Sequence, residues 1–139
     1  GAKLAAIILQ KVAALRALVA DLRPRAPAIV AAFRDKITRR VEEILQGSDP
    51  ERIHQEVALF AQKIDVDEEL DRLSTHLDEV ERVIRQGGSA GKRLDFLMQE
   101  LNREANTLGS KAAAMELSQA SVEMKVLIEQ MREQVQNLE

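Results

Sequence analysis

"DVDEELDRLSTHLDEVERVIRQGGSAGKRLDFLMQELNREANTLGSK", residues 65–111, decides the fold. Val66, Leu70, Leu73, Leu77, Val80 and Ile84 recur in steps of three and four. That spacing puts them on one face of an α-helix, with the polar residues on the other. Asp65 is a suitable cap for this helix, with Glu68 as its box partner. The stretch "GGSAG" then interrupts the pattern. A second helix over about 91–111 repeats it through Leu94, Leu97, Met98, Leu101, Ala105 and Leu108. Two amphipathic helices joined by a short Gly-rich link form an antiparallel hairpin, and each needs further apolar surface to cover its stripe.

The rest of the chain supplies that surface. Leu4, Ile8, Leu15, Leu18 and Leu22 share a face that Ile7, Val12 and Val19 widen, which predicts a helix over about 3–22. Pro24 removes a backbone donor and is expected to end or kink it. Pro27 can open a second helix over about 27–46, with Ile29, Val30, Phe33, Ile37, Val41 and Ile44 inward. "GSDPER" (47–52) is a stop and restart: Gly47 closes one helix, Ser48 or Asp49 caps the next, and Pro50 takes its first turn. That next helix, about 50–63, would bury Ile53, Val57, Phe60, Ala61 and Ile64. Gly109 and Ser110 mark a break or a loosening. A last helix then runs to the C-terminus on a heptad seam of Leu117, Ser121, Met124, Ile128, Met131, Val135 and Leu138, interrupted once by Ser121. No strand pattern occurs. The expected fold is all-α: an elongated helical bundle of about five or six helices with a long C-terminal helix, self-associating.

Composition excludes several classes. There is no cysteine, so disulfides and thiolate metal sites are absent. The apolar start, "GAKLAAIILQKVAALRALVADL", carries Lys3, Lys11, Arg16 and Asp21 and reads as a buried helix, not a membrane span. It lacks an initiator Met and begins almost inside a helical pattern, so the chain reads as part of a longer protein. Charge divides the sequence. Residues 1–46 hold nine Lys/Arg against four Asp/Glu, and 47–139 hold eleven against nineteen. This suggests a basic lead-in of two helices (1–46) before an acidic helical domain (47–139). The basic part peaks in "RPRAPAIVAAFRDKITRR", which can attract phosphate, although a solvated helix face is the simpler reading of its charge.

The chemistry-bearing residues are few. "GGSAGKR" lacks the spacing, the Ser or Thr after Lys92 and the preceding strand of a phosphate loop. "HLDEV" is no zinc motif, because no second His follows. On the 65–86 helix, Asp65, Glu69, Arg72, His76 and Glu79 form a polar seam beside the core stripe. A carboxylate and imidazole set suits Mn²⁺, Fe²⁺ or Zn²⁺, while carboxylates with amides suit Mg²⁺. A hydrogen-bonded structural histidine satisfies the same placement of His76. On the 91–111 helix, Asp95, Gln99, Asn102 and Asn106 form a stripe where Lys and Glu would be better helix formers. Glu100 and Glu104, one turn apart, repel unless Arg103 or a cation neutralises them. Phe96 lies opposite the core stripe, so the polar side is expected to be covered as well, by a helix or another subunit. A polar network that fixes helix register accounts for the same residues.

"EVALFAQKIDVDEELDRLSTHLDE", "GKRLDFLMQELNREANTLGSK" and the tail "REQVQNLE" resemble the C-terminal region of the bacterial YicC-like family. The resemblance covers at least residues 50–139, and the helical lead-in is similar to that family's central part. Only "KAAAMELSQASVEMK" is more Ala-rich than the family pattern. The resemblance implies a cytoplasmic, metal-dependent endoribonuclease acting on RNA, with Mn²⁺ or Mg²⁺, assembled as a ring-like hexamer and without a membrane segment. Among the matching positions, residue type singles out His76, Glu100 and Glu104 for catalysis, and Glu69, His76, Glu100 and Glu104 for metal ligation. Arg72, Lys92, Arg103, Asn102 and Asn106 would contact RNA, and the amide stripe would face the His76 seam across a groove. The family also has an N-terminal region that these residues do not match. The alternative is therefore a structural oligomerisation and RNA-scaffolding domain, inactive without that region.

Overall fold

The computed structural model describes residues 1–47, 49–62, 65–111 and 115–138, the side chains of 60–62 excepted. Five helices follow one another: α1 (Ala2–Ile44), α2 (Pro50–Gln62), α3 (Asp67–Gln86), α4 (Gly91–Ser110) and α5 (Met115–Gln136). The fold is all-α, and the described residues contain no strand.

α3 packs on α4, α4 on α5, α5 on α1 and α1 on α3. Each helix of this set touches two neighbours, which closes a four-helix bundle. Arg16 of α1 reaches Asp78 and Glu81 of α3, and Arg23 reaches Asp71 and Ser74, so α1 and α3 run antiparallel. At one end of the bundle, Gly1, Ala2 and Ala5 share a cleft with Leu94, Val135 and Leu138. α1 and α5 therefore also run in opposite directions, and the order is up-down-up-down. The core is one layer of Leu, Ile, Val and Met, from Ile8 to Ile29 of α1 through Val66–Val83, Leu94–Leu108 and Leu117–Val135. Each fully buried side chain of this kind contributes about 1.5–3 kcal/mol. The exposed ion pairs on the outside contribute far less.

α1 departs from the expected pair of helices. It is one helix of 43 residues that passes through Pro24 and Pro27. The two prolines leave the carbonyls four positions earlier, at Ala20 and Arg23, without a helical donor. Ala20, Arg23 and both prolines are exposed, so water can satisfy those oxygens, while Leu22, Ala26 and Ile29 stay buried on the opposite face. At 1.5 Å per residue α1 is ~65 Å long, about twice the length of α3. No α1 residue beyond Ile29 is buried. The last third of α1 overhangs the bundle and pairs with α2, which touches no other helix among the described residues. Ile44, expected to point inward, is 78% exposed in that arm. Val57 of α2 is buried and Ile53 half-buried. Phe60, Ala61 and Ile64, expected beside them, lie outside the described side chains.

The loops fall where the sequence places them, but Val66, not Asp65, is the N-cap of α3, and no capping box between Asp65 and Glu68 is present among the described residues. Gly47 (φ 84°) follows α1, and Asp49 Oδ1 accepts the Glu51 N–H at 3.1 Å at the start of α2. Ser48 lies outside the described residues. Asp65 Oδ1 accepts the Asp67 N–H at 3.0 Å, which turns the chain into α3. Gly87 and Gly88 both take positive φ between α3 and α4. Gly109 does not break α4, which continues to Ser110. Phe96 is 47% exposed, with the Arg93 guanidinium 5.4 Å from its ring centre, instead of covered by a helix of this chain.

Candidate metal centre

α3 and α4 run antiparallel across the short Gly-rich loop, so steps of four along one meet steps of four backwards along the other. His76 meets Glu100, and Arg72 meets Glu104. The His76 Nε2 and Glu100 Oε2 atoms are 3.9 Å apart, and Arg72 Nε is 2.9 Å from Glu104 Oε1. One ligand atom each from His76, Glu100 and Glu104 falls within 4.8 Å of the others. An imidazole and two carboxylates at that separation match the donor set of a divalent first-row ion. Glu104 is buried at 1% exposure, whereas His76 and Glu100 are half-buried and open the cluster to solvent.

Cations surround the acids. Arg103 Nη2 lies 3.4 Å from Glu100 Oε2 and 3.7 Å from Glu104 Oε1, and its side chain is mostly exposed. This is the neutralisation that the Glu100 and Glu104 pair requires. Arg72 sits between two buried carboxylates, since its Nη2 is also 3.6 Å from Glu69 Oε1. Glu104 pushes the Arg72 guanidinium up from its ordinary value of 12.5, with Glu68 and Glu69 adding to the effect. The Arg72 Nε–H does not point along the short line to Glu104, so that contact is an ion pair without an aligned hydrogen bond. Arg72 Nε and Glu69 Oε2 are the buried side-chain polar atoms without a hydrogen-bond partner among the described residues.

The polar seam of α3 faces α4, as the sequence pattern indicated. Glu69 stands one ion pair away from the His76 cluster. Lys111, at the end of α4, donates to Glu69 Oε1 at 2.7 Å and to the Asp65 carbonyl at 2.9 Å. That lysine has no pattern of its own in the sequence, and only the register of the hairpin brings it to Glu69. The amide stripe is placed differently from expectation. Gln99, Asn102 and Asn106 are exposed and Asp95 half-buried, and it is the Glu100 and Glu104 flank that faces α3. Lys92 lines the cleft at the N-terminal end of α4, away from the cluster.

Farther along the seam, Arg82 and then Arg93 hold Glu79 at about 2, down from 4.5. A carboxylate depressed in the fold stabilises it above its unfolded value and loses that contribution as pH falls through the folded value. Glu79→Gln should therefore melt below the parent chain at pH 6. The difference should shrink below about pH 4.5 and be nearly gone at pH 2, which thermal scans of the two proteins would read.

Taken together, these features define an all-helical bundle with a histidine and carboxylate cluster set into one helix–helix seam. The family profile described as "Endoribonuclease YicC-like, C-terminal" matches residues 22–139. Over 139 residues the chain is 47% identical to the "Probable endoribonuclease YicC" of Haemophilus influenzae. It is 35% identical over 142 residues to the protein of the same name from Clostridioides difficile. Both alignments cover all of this chain and 48% of the relative, so the chain spans about half the length of the curated relatives it matches. The chain belongs to the YicC-like endoribonuclease family. None of its described helices is long and apolar enough to cross a membrane.

Proposed function

We propose that this chain carries the catalytic centre of a divalent-metal-dependent endoribonuclease whose substrate is RNA. The observation that supports it is the convergence of His76, Glu100 and Glu104 within 4.8 Å, half open to solvent and rimmed by an exposed arginine. His76, Glu100 and Glu104 would hold the ion, Mn²⁺ or Mg²⁺. The imidazole favours Mn²⁺ of the two. When bound, the ion supplies positive charge against the phosphate and helps deprotonate the attacking hydroxyl.

The remaining roles fall to the chain's own groups. A hydroxyl, from the neighbouring ribose or from water, attacks phosphorus and must lose a proton, while the opposite P–O ester bond breaks and the departing oxygen takes up a proton from solvent. With His76 committed to the ion, the second oxygen of Glu100, half-buried and open to solvent, is the side-chain atom in the cluster suited to take the proton of the attacking hydroxyl or to orient it. Charge then grows on the non-bridging phosphate oxygens. The Arg103 guanidinium, anchored by Glu100 and Glu104 yet exposed, offers paired donors to those oxygens. Asn102 and Asn106, exposed on the same helix, present amides to ribose and base edges. Cleavage of a structured RNA, followed by gel with Mn²⁺ or Mg²⁺ and then with excess EDTA, tests the reading. Metal-dependent cleavage that EDTA abolishes is expected, and cleavage unaffected by EDTA would overturn it.

A further inference from the structure

Two carboxylates buried to about 2% exposure, Glu69 and Glu104, share one guanidinium. Arg72 fully satisfies neither. It is close to Glu104 but misaligned, and at Glu69 it reaches only 3.6 Å. Glu69 Oε2 stays buried without a hydrogen-bond donor, although Lys111 fixes the other oxygen of the same carboxylate. A buried acceptor without a donor is destabilising, and a buried acid needs a nearby cation. The arrangement therefore holds one cation between two acceptors, with capacity to spare on the Glu69 side.

We propose that Arg72 is an internal counter-cation that a divalent ion must displace from Glu104, and that Glu69 is the acceptor onto which Arg72 then moves. This rests on the proposed metal site at His76, Glu100 and Glu104. An ion taken by Glu104 on Oε1 would stand against the Arg72 guanidinium, whose Nε is 2.9 Å from that oxygen, and the two positive charges repel. The displaced guanidinium has a short path, since Nη2 already lies 3.6 Å from Glu69 Oε1, on the same carboxylate as the orphaned Oε2. Moving there supplies the missing donor to Glu69 and leaves Glu104 to the ion. Lys111 is the fixed element: its bonds to Glu69 and to the Asp65 carbonyl hold the receiving carboxylate still. Arg72 is a positioning residue in this scheme. It sets how tightly the site takes its ion and keeps Glu104 paired when no ion is bound. Metal binding and the position of Arg72 are then linked, and each biases the other by the same factor.

The test is calorimetric titration of the intact chain with Mn²⁺. Arg72→Gln removes the competitor and should tighten binding about tenfold, a typical coupling between linked sites. Glu69→Gln removes the receiving charge and should weaken binding about tenfold. In the Arg72→Gln background, Glu69→Gln should have almost no effect, because there is no guanidinium left to receive. Simple through-space electrostatics, or direct ligation by Glu69, predicts instead that the second substitution weakens binding in both backgrounds. A readout without substitutions is the Arg72 side-chain Nε resonance in the parent chain, which should shift in step with Mg²⁺ occupancy. Wild-type binding with Arg72→Gln no tighter, additive effects, or an unmoved resonance would each overturn the displacement while leaving the metal site standing. Failure of the parent chain to bind Mn²⁺ at all would overturn both.

Discussion

His76→Ala and Glu104→Gln should each slow metal-dependent RNA cleavage by about a hundredfold or more while leaving the bundle folded. The two halves of that expectation come from different parts of the structure. His76 lies beside the core stripe of α3, not within it, and 3.9 Å to Glu100 is too long for a hydrogen bond. Its truncation removes little packing, about 0.5–2 kcal/mol. Glu104→Gln keeps the volume of a fully buried side chain and removes only its charge. Arg72 then retains Glu68 and Glu69, at 3.4 and 3.6 Å. Neither change strips a hydrophobic contact from the core. If the seam exists only to fix helix register, the order of effects reverses. The variants would then melt at lower temperature, and cleavage would fall only as folded protein is lost. Melting temperature and cleavage rate measured on the same preparations separate the two. Unfolded variants would sink the site, and so would folded variants that cleave at the normal rate.

Residues 65–111 were legible because each helix there has one clean apolar stripe and the link between them carries glycines. The stripe fixes which residues face the core, and the flank carrying Glu69, Arg72 and His76 follows from counting. The partner flank on α4 did not follow. Both sides of that helix are polar, one with Asn and Gln and the other with Glu. Which side meets α3 depends on the way the hairpin turns about its loop, and two stripes of like period do not encode that. The structure chose the Glu100 and Glu104 side, and it left Asn102 and Asn106 outside. Lys111 was invisible for a related reason: its contact with Glu69 spans 42 positions and depends on register alone. At Pro24 and Pro27 the local rule lost to packing. Leu22, Ala26 and Ile29 lie on the buried face of a continuous helix, and the freed carbonyls fall on the wet side. Past Ile29 the same apolar period continues with only α2 to cover it, so periodicity overstated burial at Ile44.

The Ser121 break in the apolar seam of α5 leads to the second large effect. Ser121 is 4% exposed, and its Oγ donates to the Ala105 carbonyl of α4 at 2.7 Å. Gly109 lies one turn farther along α4, and a Cβ placed there would sit 2.6 Å from Ser121 Oγ and 3.1 Å from Ser121 Cβ. The two small residues therefore let α4 and α5 approach more closely than Leu or Met at either position would permit. Gly109→Val should destabilise the chain by about 2–3 kcal/mol. The added methyls meet a serine held by its own hydrogen bond, and turning the hydroxyl away gives up that bond. The better helix propensity of Val over Gly offsets only a few tenths of a kcal/mol. The melting temperature should fall by roughly 5–15 °C for a domain of this size. The offending atoms are named, so rescue is a sharper test than loss. Ser121→Gly in the Gly109→Val background removes both of them and should recover a substantial part of the deficit. In the parent chain the same substitution only loses a bond and the modest helix-propensity advantage of Ser over Gly. A favourable coupling between the two positions is the expected outcome. A Gly109→Val protein that melts with the parent would mean that α4 and α5 do not approach this closely, and additive losses would place the strain at some other contact of Gly109.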